Sequence, residues 1–261
     1  MNQGLHERFS GKIAVVTGAG SGIGRATALR LAAEGASLVL IDLANGPLAD
    51  CAAAIEHAGG RAVAVEGDVT SRADIERYVR TAIAKFGGID IFFNNAGILG
   101  VVSPLLEYPE DMFDKVIAVN VKAVWLGMKL VAPAIIARGG GVIVNTASIA
   151  GIKGSAGLMP YSASKHAVIG MTRSAALELA PHKVRVNAVC PAPIDTPMGT
   201  LLDQGYGPKD AAAAHERIVG RIPLGRYGTA EEVAGVVAFL CCADASFVNG
   251  AAYTIDGGQM A

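Results

Sequence analysis

Tyr161 and Lys165 stand four residues apart in the run Tyr-Ser-Ala-Ser-Lys, a spacing that on a helix puts both side chains on one face, one turn apart. A free tyrosine titrates near ~10, so a phenol that is to take or give a proton near neutral pH needs a cation beside it to stabilise the phenolate. Lys165 is placed to be that cation. Taken alone, a tyrosine and a lysine at this spacing are also what many exposed helices carry as an ordinary pair. Ser148 closes the run VIVNTAS. A hydroxyl at the carboxyl edge of a strand in an open α/β sheet faces the ligand crevice, where it can hydrogen-bond an oxygen that gains charge. A serine there is equally a turn former.

A second constellation lies near the start. Thr17-Gly18-Ala19-Gly20-Ser21-Gly22-Ile23-Gly24 sits between an apolar strand-like run, KIAVVT, and an Ala-rich helix-like run. Glycines allow backbone N–H groups to approach a pyrophosphate closely, and the helix N-terminus that follows offers unpaired donors and partial positive charge. The spacing is G-x-x-x-G-x-G, with Ile23 where the commoner G-x-G-x-x-G fingerprint would place its last glycine. Asp42 ends the second strand-like run, where an acidic residue can accept hydrogen bonds from ribose hydroxyls and would repel a 2'-phosphate. No Arg or Lys occupies positions 43 to 46, and Ser21 rather than a basic residue lies inside the glycine turn. NAD is therefore the expected cofactor rather than NADP. The plain alternatives are a tight structural turn and a strand-ending aspartate that caps it.

The elements that must position these groups follow from periodicity. Short β-branched runs alternate with amphipathic stretches: KIAVVT, a helix to Glu34, SLVLID, another helix, RAVAVEGDV, a helix near 71 to 86, and IDIFFNN. A long helical stretch around 109 to 138, the strand GVIVNTAS, a helix from about Pro160 to Ala180 and the strand VRVNAVC continue the pattern. Continuous apolar strands joined by helices predict an α/β fold with a doubly wound parallel sheet, Rossmann-like, in a single domain over 1–261. From Pro191 to Pro223 the rhythm stops. This segment, with one helix-like stretch near DAAAAHERIVG, reads as a substrate lid over 192 to 222. Thr229 and Glu232 have capping-box spacing before AGVVAFLC, and AAYTI reads as the last strand.

Composition narrows the function. The 261 residues are 52% apolar and 17% charged with a net charge of -1, and basic residues form no run, which argues against nucleic-acid and anionic-membrane partners. The first residues lack the apolar stretch of a signal peptide, and no run suggests a membrane span, so a cytoplasmic location is expected. Cys51, Cys190 and the adjacent Cys241 and Cys242 match neither a disulfide framework nor a zinc site, and the five histidines are scattered, so reduced buried thiols and no metal are expected.

With these motifs in this order the chain resembles the short-chain dehydrogenase/reductase family in its compact single-domain branch. The resemblance covers nearly the whole chain and rests on Gly18 to Gly24, Asp68-Val69, Asn94-Asn95-Ala96-Gly97, Asn120, Ser148, Tyr161 with Lys165, Thr196 and Asp256-Gly257-Gly258. It implies an NAD-dependent oxidoreductase that interconverts a secondary alcohol and a ketone by hydride transfer. Tyr161 would be the acid/base and Ser148 the partner of the substrate oxygen. Lys165 would hold the nicotinamide ribose and lower the tyrosine pKa, and Asn120 would position a water linking Lys165 to solvent. Gly18, Ser21, Gly22, Ile23 and Gly24 would cradle the pyrophosphate. Asp68 and Val69 would frame the adenine, Asn95, Ala96 and Gly97 would line its ribose, and Ile194 with Thr196 would hold the carboxamide. Where the family has Pro-Gly this chain reads Pro191-Ala192-Pro193, which puts the local nicotinamide contacts in question.

A noncatalytic NAD-binding regulator on the same fold is the rival from another class, opposed by the intact Asn120, Ser148, Tyr161 and Lys165. Epimerisation and enoyl reduction fit less well, the first for want of a longer C-terminal portion, the second because the relatives that perform it space tyrosine and lysine more widely. The apolar residues Ile98, Leu99, Ile149, Ile152, Leu158 and Met159 suggest walls for an uncharged, hydrophobic or cyclic substrate, with a polyol or sugar as the alternative. Family resemblance also implies a homo-oligomer, a tetramer, formed by the long helices, with Gly127, Ala175 and Ala176 as points of close approach.

Overall fold

The computed structural model describes residues 7–43 and 47–261; positions 44 to 46, part of the segment without basic residues after Asp42, lie outside it. The first half alternates β1 (Ile13–Thr17), α1 (Gly22–Ala33), β2 (Ser37–Asp42), α2 (Leu48–His57), β3 (Arg61–Glu66), α3 (Arg72–Phe86) and β4 (Ile91–Asn94). The second half continues with α4 (Glu110–Ile117), a π-helical turn (Ala118–Lys122), α5 (Ala123–Ala137), β5 (Gly141–Thr146), α6 (Met159–Leu179) and β6 (Val184–Pro191). It closes with α7 (Pro197–Tyr206), α8 (Ala211–Val219), α9 (Ala230–Cys241) and β7 (Ala252–Ile255). All seven strands run parallel in the order β3-β2-β1-β4-β5-β6-β7. The order reverses between β1 and β4, so their carboxyl ends open the crevice in which such sheets bind ligands.

Parallel strands buried on both faces are continuous apolar runs: IAVVT of β1 is buried at every position, and SLVLI of β2 likewise. Residues of alternate orientation feed two cores. One packs Ala14, Val16, Leu38 and Leu40 against α1, α2 and α9; the other packs Val15, Val39, Phe92 and Ile143 against α3, α5 and α6. Polar groups inside are paired. Asn94 Nδ2 donates to the Val124 carbonyl at 2.9 Å and to Asn145 Oδ1 at 3.1 Å, and Asn145 Nδ2 donates to Thr172 Oγ1 at 3.0 Å. This network fixes β4 and β5 against α5 and α6 directly below the crevice. The four cysteines are free and buried.

Several expectations change. Two helices, α7 and α8, fill the segment read as a lid with one helix; Pro197 and two glycines mask the periodicity of α7, whose N-cap is Thr196. The continuous helical stretch Glu110–Ala137, 28 residues, is long and apolar enough to cross a membrane, where the sequence reading found no such run; about half of its most apolar part is buried inside the protein. The small residues taken for oligomer contacts pack internally instead: a Cβ on Gly127 would meet Phe92 Cζ at 3.2 Å, and Ala176 is buried beside Gly250, while Ala175 packs on the second core.

Candidate active site

The glycine turn between β1 and α1 is shaped by contacts that side chains would block. Gly18 and Gly22 have φ of +67° and +50°, and a Cβ on Gly24 would lie 1.9 Å from the Gly18 carbonyl oxygen, so α1 can pack against the end of β1 only with glycine there. Ser21 is the N-cap of α1 but makes no side-chain capping bond, and no acidic residue stands in the first turn. The amide donors and positive end of this helix are thus offered to an anion. Asp42 is held at the rim: Gly20 N–H donates to Oδ2 at 2.8 Å and Leu43 N–H to Oδ1 at 2.8 Å.

Thr17, to which the sequence reading gave no role, ties the two sides of the crevice. Its Oγ1 accepts from Asn95 N at 2.9 Å and Ala96 N at 3.1 Å, while Asn95 Nδ2 donates to the Thr17 carbonyl at 3.0 Å and Thr146 Oγ1 donates to Asn95 Oδ1 at 3.0 Å. A hydroxyl residue as the last residue of β1, immediately before the first glycine, is the signal that could have found it. The cleft above has a volume of about 1010 Å³ and is lined by Gly18, Ser21, Gly22, Ile23, Asp42, Asp68, Val69, Asn95, Ala96, Gly97, Ser148, Tyr161, Lys165, Ile194 and Thr196. Gly24 and Asn120 are not in its wall.

Ser148, Tyr161 and Lys165 meet because the short helical turn Ile149–Gly151 after β5 packs on the start of α6. Ser162 Oγ donates to the Ala150 carbonyl at 2.6 Å, and a Cβ on Gly151 would lie 2.6 Å from the Lys165 carbonyl oxygen. Ser148 Oγ accepts from Ala150 N at 3.1 Å and donates to the Pro191 carbonyl at 3.3 Å. Lys165 Nζ lies 5.5 Å from the centre of the Tyr161 ring and donates to the Thr146 carbonyl at 2.8 Å. Asn120 sits in the π turn behind them: Nδ2 donates to the Ile98 carbonyl at 2.8 Å and to Ser164 Oγ at 3.2 Å, and Oδ1 accepts from Ile98 N at 2.9 Å. A Cβ on Gly97 would meet Asn120 Oδ1 at 3.2 Å and Lys165 Nζ at 3.5 Å, so glycine keeps these groups together.

Burial dominates the electrostatics of the pair. It pushes the Tyr161 hydroxyl up to about 12, with the Ser148 hydroxyl pulling the other way, and pushes Lys165 down to about 8. Desolvation disfavours the charged form of each group, and the ammonium donates to the Thr146 carbonyl.

The segment after β6 rests on the glycine turn: a Cβ on Gly22 would meet Thr196 Cγ2 at 3.2 Å, and residues 193–195 are bridged to Gly228. Tyr227 donates to Asp203 Oδ1, and His215 Nδ1 lies 2.9 Å from Asp203 Oδ2, which joins α7, α8 and the segment before α9. Ala192 accommodates the departure from Pro-Gly: its backbone does not enter the left-handed region, its N–H donates to the Ile255 carbonyl at 3.0 Å, and it lines the cleft. Of the expected apolar walls, Ile98, Leu99, Ile149 and Leu158 line the cleft, whereas Ile152 and Met159 do not and are 42% and 43% exposed.

The chain matches the family model described as enoyl-(acyl carrier protein) reductase over residues 18–260. It is 43% identical to levodione reductase of Leifsonia aquatica over 97% of this chain and 96% of that protein. The chain belongs to the short-chain dehydrogenase/reductase family. Cyclohexanol dehydrogenase of Acinetobacter sp. (strain SE19) is 42% identical, covering 98% of each chain. A solved structure of NAD+-bound xylitol dehydrogenase superimposes with a TM-score of 0.92 at 39% identity, covering 97% of this chain and all of the other. This chain is accordingly an NAD-dependent oxidoreductase of the short-chain family, of the class that interconverts alcohols and ketones. The rival reading as a noncatalytic regulator loses its footing, since these relatives bear the names of enzymes.

Proposed function

We propose that the cleft oxidises a secondary carbinol on a largely apolar skeleton, or reduces the corresponding ketone, with Tyr161 as acid/base. The observation that carries this is the convergence of Ser148, Tyr161 and Lys165 on one wall of a cleft whose other end is the glycine turn and Asp42. The cradle fits a dinucleotide: two glycines in the left-handed region, a third that a Cβ would drive into backbone, an uncapped helix N-terminus and a rim carboxylate held by two amides. When bound, NAD supplies the hydride acceptor and a positive charge beside the phenol.

The chain's own groups do the rest. Asp42 accepts from the adenosine ribose hydroxyls and excludes a 2'-phosphate. Asp68 and Val69 frame the adenine, Asn95 to Gly97 line the ribose, and Ile194 and Thr196 face the carboxamide. In oxidation Tyr161 acts as the phenolate, its own proton having left to solvent, and takes the carbinol proton at that oxygen, while in reduction the phenol gives a proton to the ketone oxygen; Ser148 Oγ donates to the substrate oxygen, and Lys165 Nζ holds the nicotinamide ribose. Both donors of the Asn120 side chain are engaged, so a water reaching Lys165 is held through an acceptor, and Asn120 acts as a positioning residue.

Levodione and cyclohexanol, in the names of the two relatives, are alicyclic, and the walls Ile98, Leu99, Ile149 and Leu158 suit such a ring. The xylitol dehydrogenase likeness keeps a polyol as the second reading. The lid spans 192 to 222, and the functional unit is a homotetramer in the cytoplasm, a compartment in keeping with four unpaired thiols. The test is a screen of alicyclic, aliphatic and polyol alcohols with NAD and with NADP, read as reduced-cofactor absorbance. Cyclohexanol-type turnover with NAD preferred is expected; comparable efficiency with NADP would remove the role given to Asp42.

A further inference from the structure

The cleft is lined by charges of both signs. Its two carboxylates are Asp42, which ends β2, and Asp68, after β3, whereas Lys115, Lys153, Arg217 and Arg221 supply cations besides Lys165. Among the described residues none of these four cations has an ion-pair partner. The lid carboxylate Asp203 is engaged by Tyr227 and His215, and Glu216 does not line the cleft.

Arg217 and Arg221 lie close to Tyr206, and Lys153 lines the same cleft. Arg217 and Arg221 are four residues apart and lie on the same side of α8 and the turn after it. Tyr206, at the end of α7, connects them to the opposite lip: its hydroxyl donates to the Ala156 carbonyl at 2.6 Å, Arg217 reaches its carbonyl at 3.5 Å, and the charge of Arg221 acts on its hydroxyl. Lys153 precedes that lip by three residues. Gln259 adds an amide to the wall of the same cleft, its Oε1 buried without a partner.

We infer that the substrate carries a carboxylate or comparable oxyanion remote from the carbinol, received by Arg217, Arg221 and Lys153 while the carbinol lies against Ser148 and Tyr161. This rests on the alcohol–ketone reading above and adds a charged group to the apolar skeleton that the walls suit. Guanidinium forks suit an oxyanion with two or three oxygens, and unpaired cations at the cleft also draw an anion in.

The experiment compares 3-hydroxycyclohexanecarboxylate with its methyl ester on the full chain with NAD, as a ratio of kcat/KM. The acid should be favoured about tenfold at low ionic strength, and about 0.5 M salt should shrink the preference because exposed charges are screened. Arg217→Gln with Arg221→Gln should bring the ratio close to one. An ester used as well as the acid, or a ratio untouched by the double variant, overturns the inference while leaving the alcohol–ketone reading in place. Calorimetric titration of cyclohexanecarboxylate into the NAD-loaded protein decides without turnover: binding several-fold weaker in the double variant and in salt is expected, and equal binding overturns it. Failure of every neutral and acidic alcohol to reduce NAD would count against the alcohol–ketone reading, whatever the titration shows.

Discussion

At the scale of the residue, the site places a phenol and an ammonium where neither is comfortable charged. Tyr161 is pushed up to about 12 and Lys165 down to about 8, both by burial. Tyr161→Phe keeps the ring and removes the only proposed proton acceptor, so turnover should fall about 10²- to 10⁴-fold or more while NAD binding persists. Near-normal turnover by a folded, NAD-binding variant would refute the mechanism. The lysine gives a prediction about stability. A base whose folded pKa is depressed contributes stability above its unfolded value near ~10.5, and that contribution is lost as pH falls through about 8. Lys165 therefore burdens the fold at pH 6 to 7 by roughly 3 kcal/mol, against about 1 kcal/mol returned by its bond to Thr146. Lys165→Met should be inactive yet melt higher than the parent near pH 6.5, with the gain fading between pH 8 and 10.5. Melting curves across pH check it; a variant that melts lower at every pH contradicts the assignment.

At the scale of the element, each strand and most helices are legible because burial on both faces writes apolar runs and caps write their own spacing. Thr229 and Glu232 form the reciprocal cap that their spacing predicts. What resists reading depends on packing far along the chain. The Thr17 hydroxyl acquires its role only when β4 arrives beside β1, and the engaged state of the Asn120 amide only when Ile98 and Ser164 close on it. Ile152 and Met159 look like walls because they are apolar and near Ser148 and Tyr161 in sequence, but a turn and a helix start direct them outward. The helices α7 and α8 are held by Asp203 between Tyr227 and His215, a contact between residues 12 and 24 positions apart. Tyr227→Phe removes one arm of that clasp and should cost about 1.5 kcal/mol. Substrate KM should rise several-fold with kcat little changed, because the phenol does not line the cleft. Stopped-flow binding and steady-state kinetics distinguish this from damage at the reacting groups, which would lower kcat.

At the scale of the whole molecule, the apolar residues that stay outside are informative. Trp125 on α5, Leu177 on α6, Leu105, Leu106 and Phe247 are large and exposed, Phe247 fully. They are better placed to meet other copies than the internally packed Gly127 and Ala176. Sedimentation of the full chain at micromolar concentration should give a single species of about four times 26.6 kDa. Trp125→Glu with Leu177→Glu should shift it to a smaller species; a parent protein that sediments as a monomer ends the proposal.

The strand order has a further consequence, for the chain as it leaves the ribosome. The first three strands build outward from β1 in one direction; β4 then returns to the free side of β1, where Ile13 N–H meets Asp90 Oδ2 across 77 residues, and every later strand adds to that same growing edge. In the nascent sheet β6, buried along nearly all of its length, keeps an unpaired edge until Ala252 to Ile255 dock on Ala188 to Pro191 and the shorter β7 takes the edge position. A message cut short before codon 252 should yield a sticky partial sheet destined for aggregation or degradation, even though it encodes the glycine turn and every member of the proposed proton-transfer group.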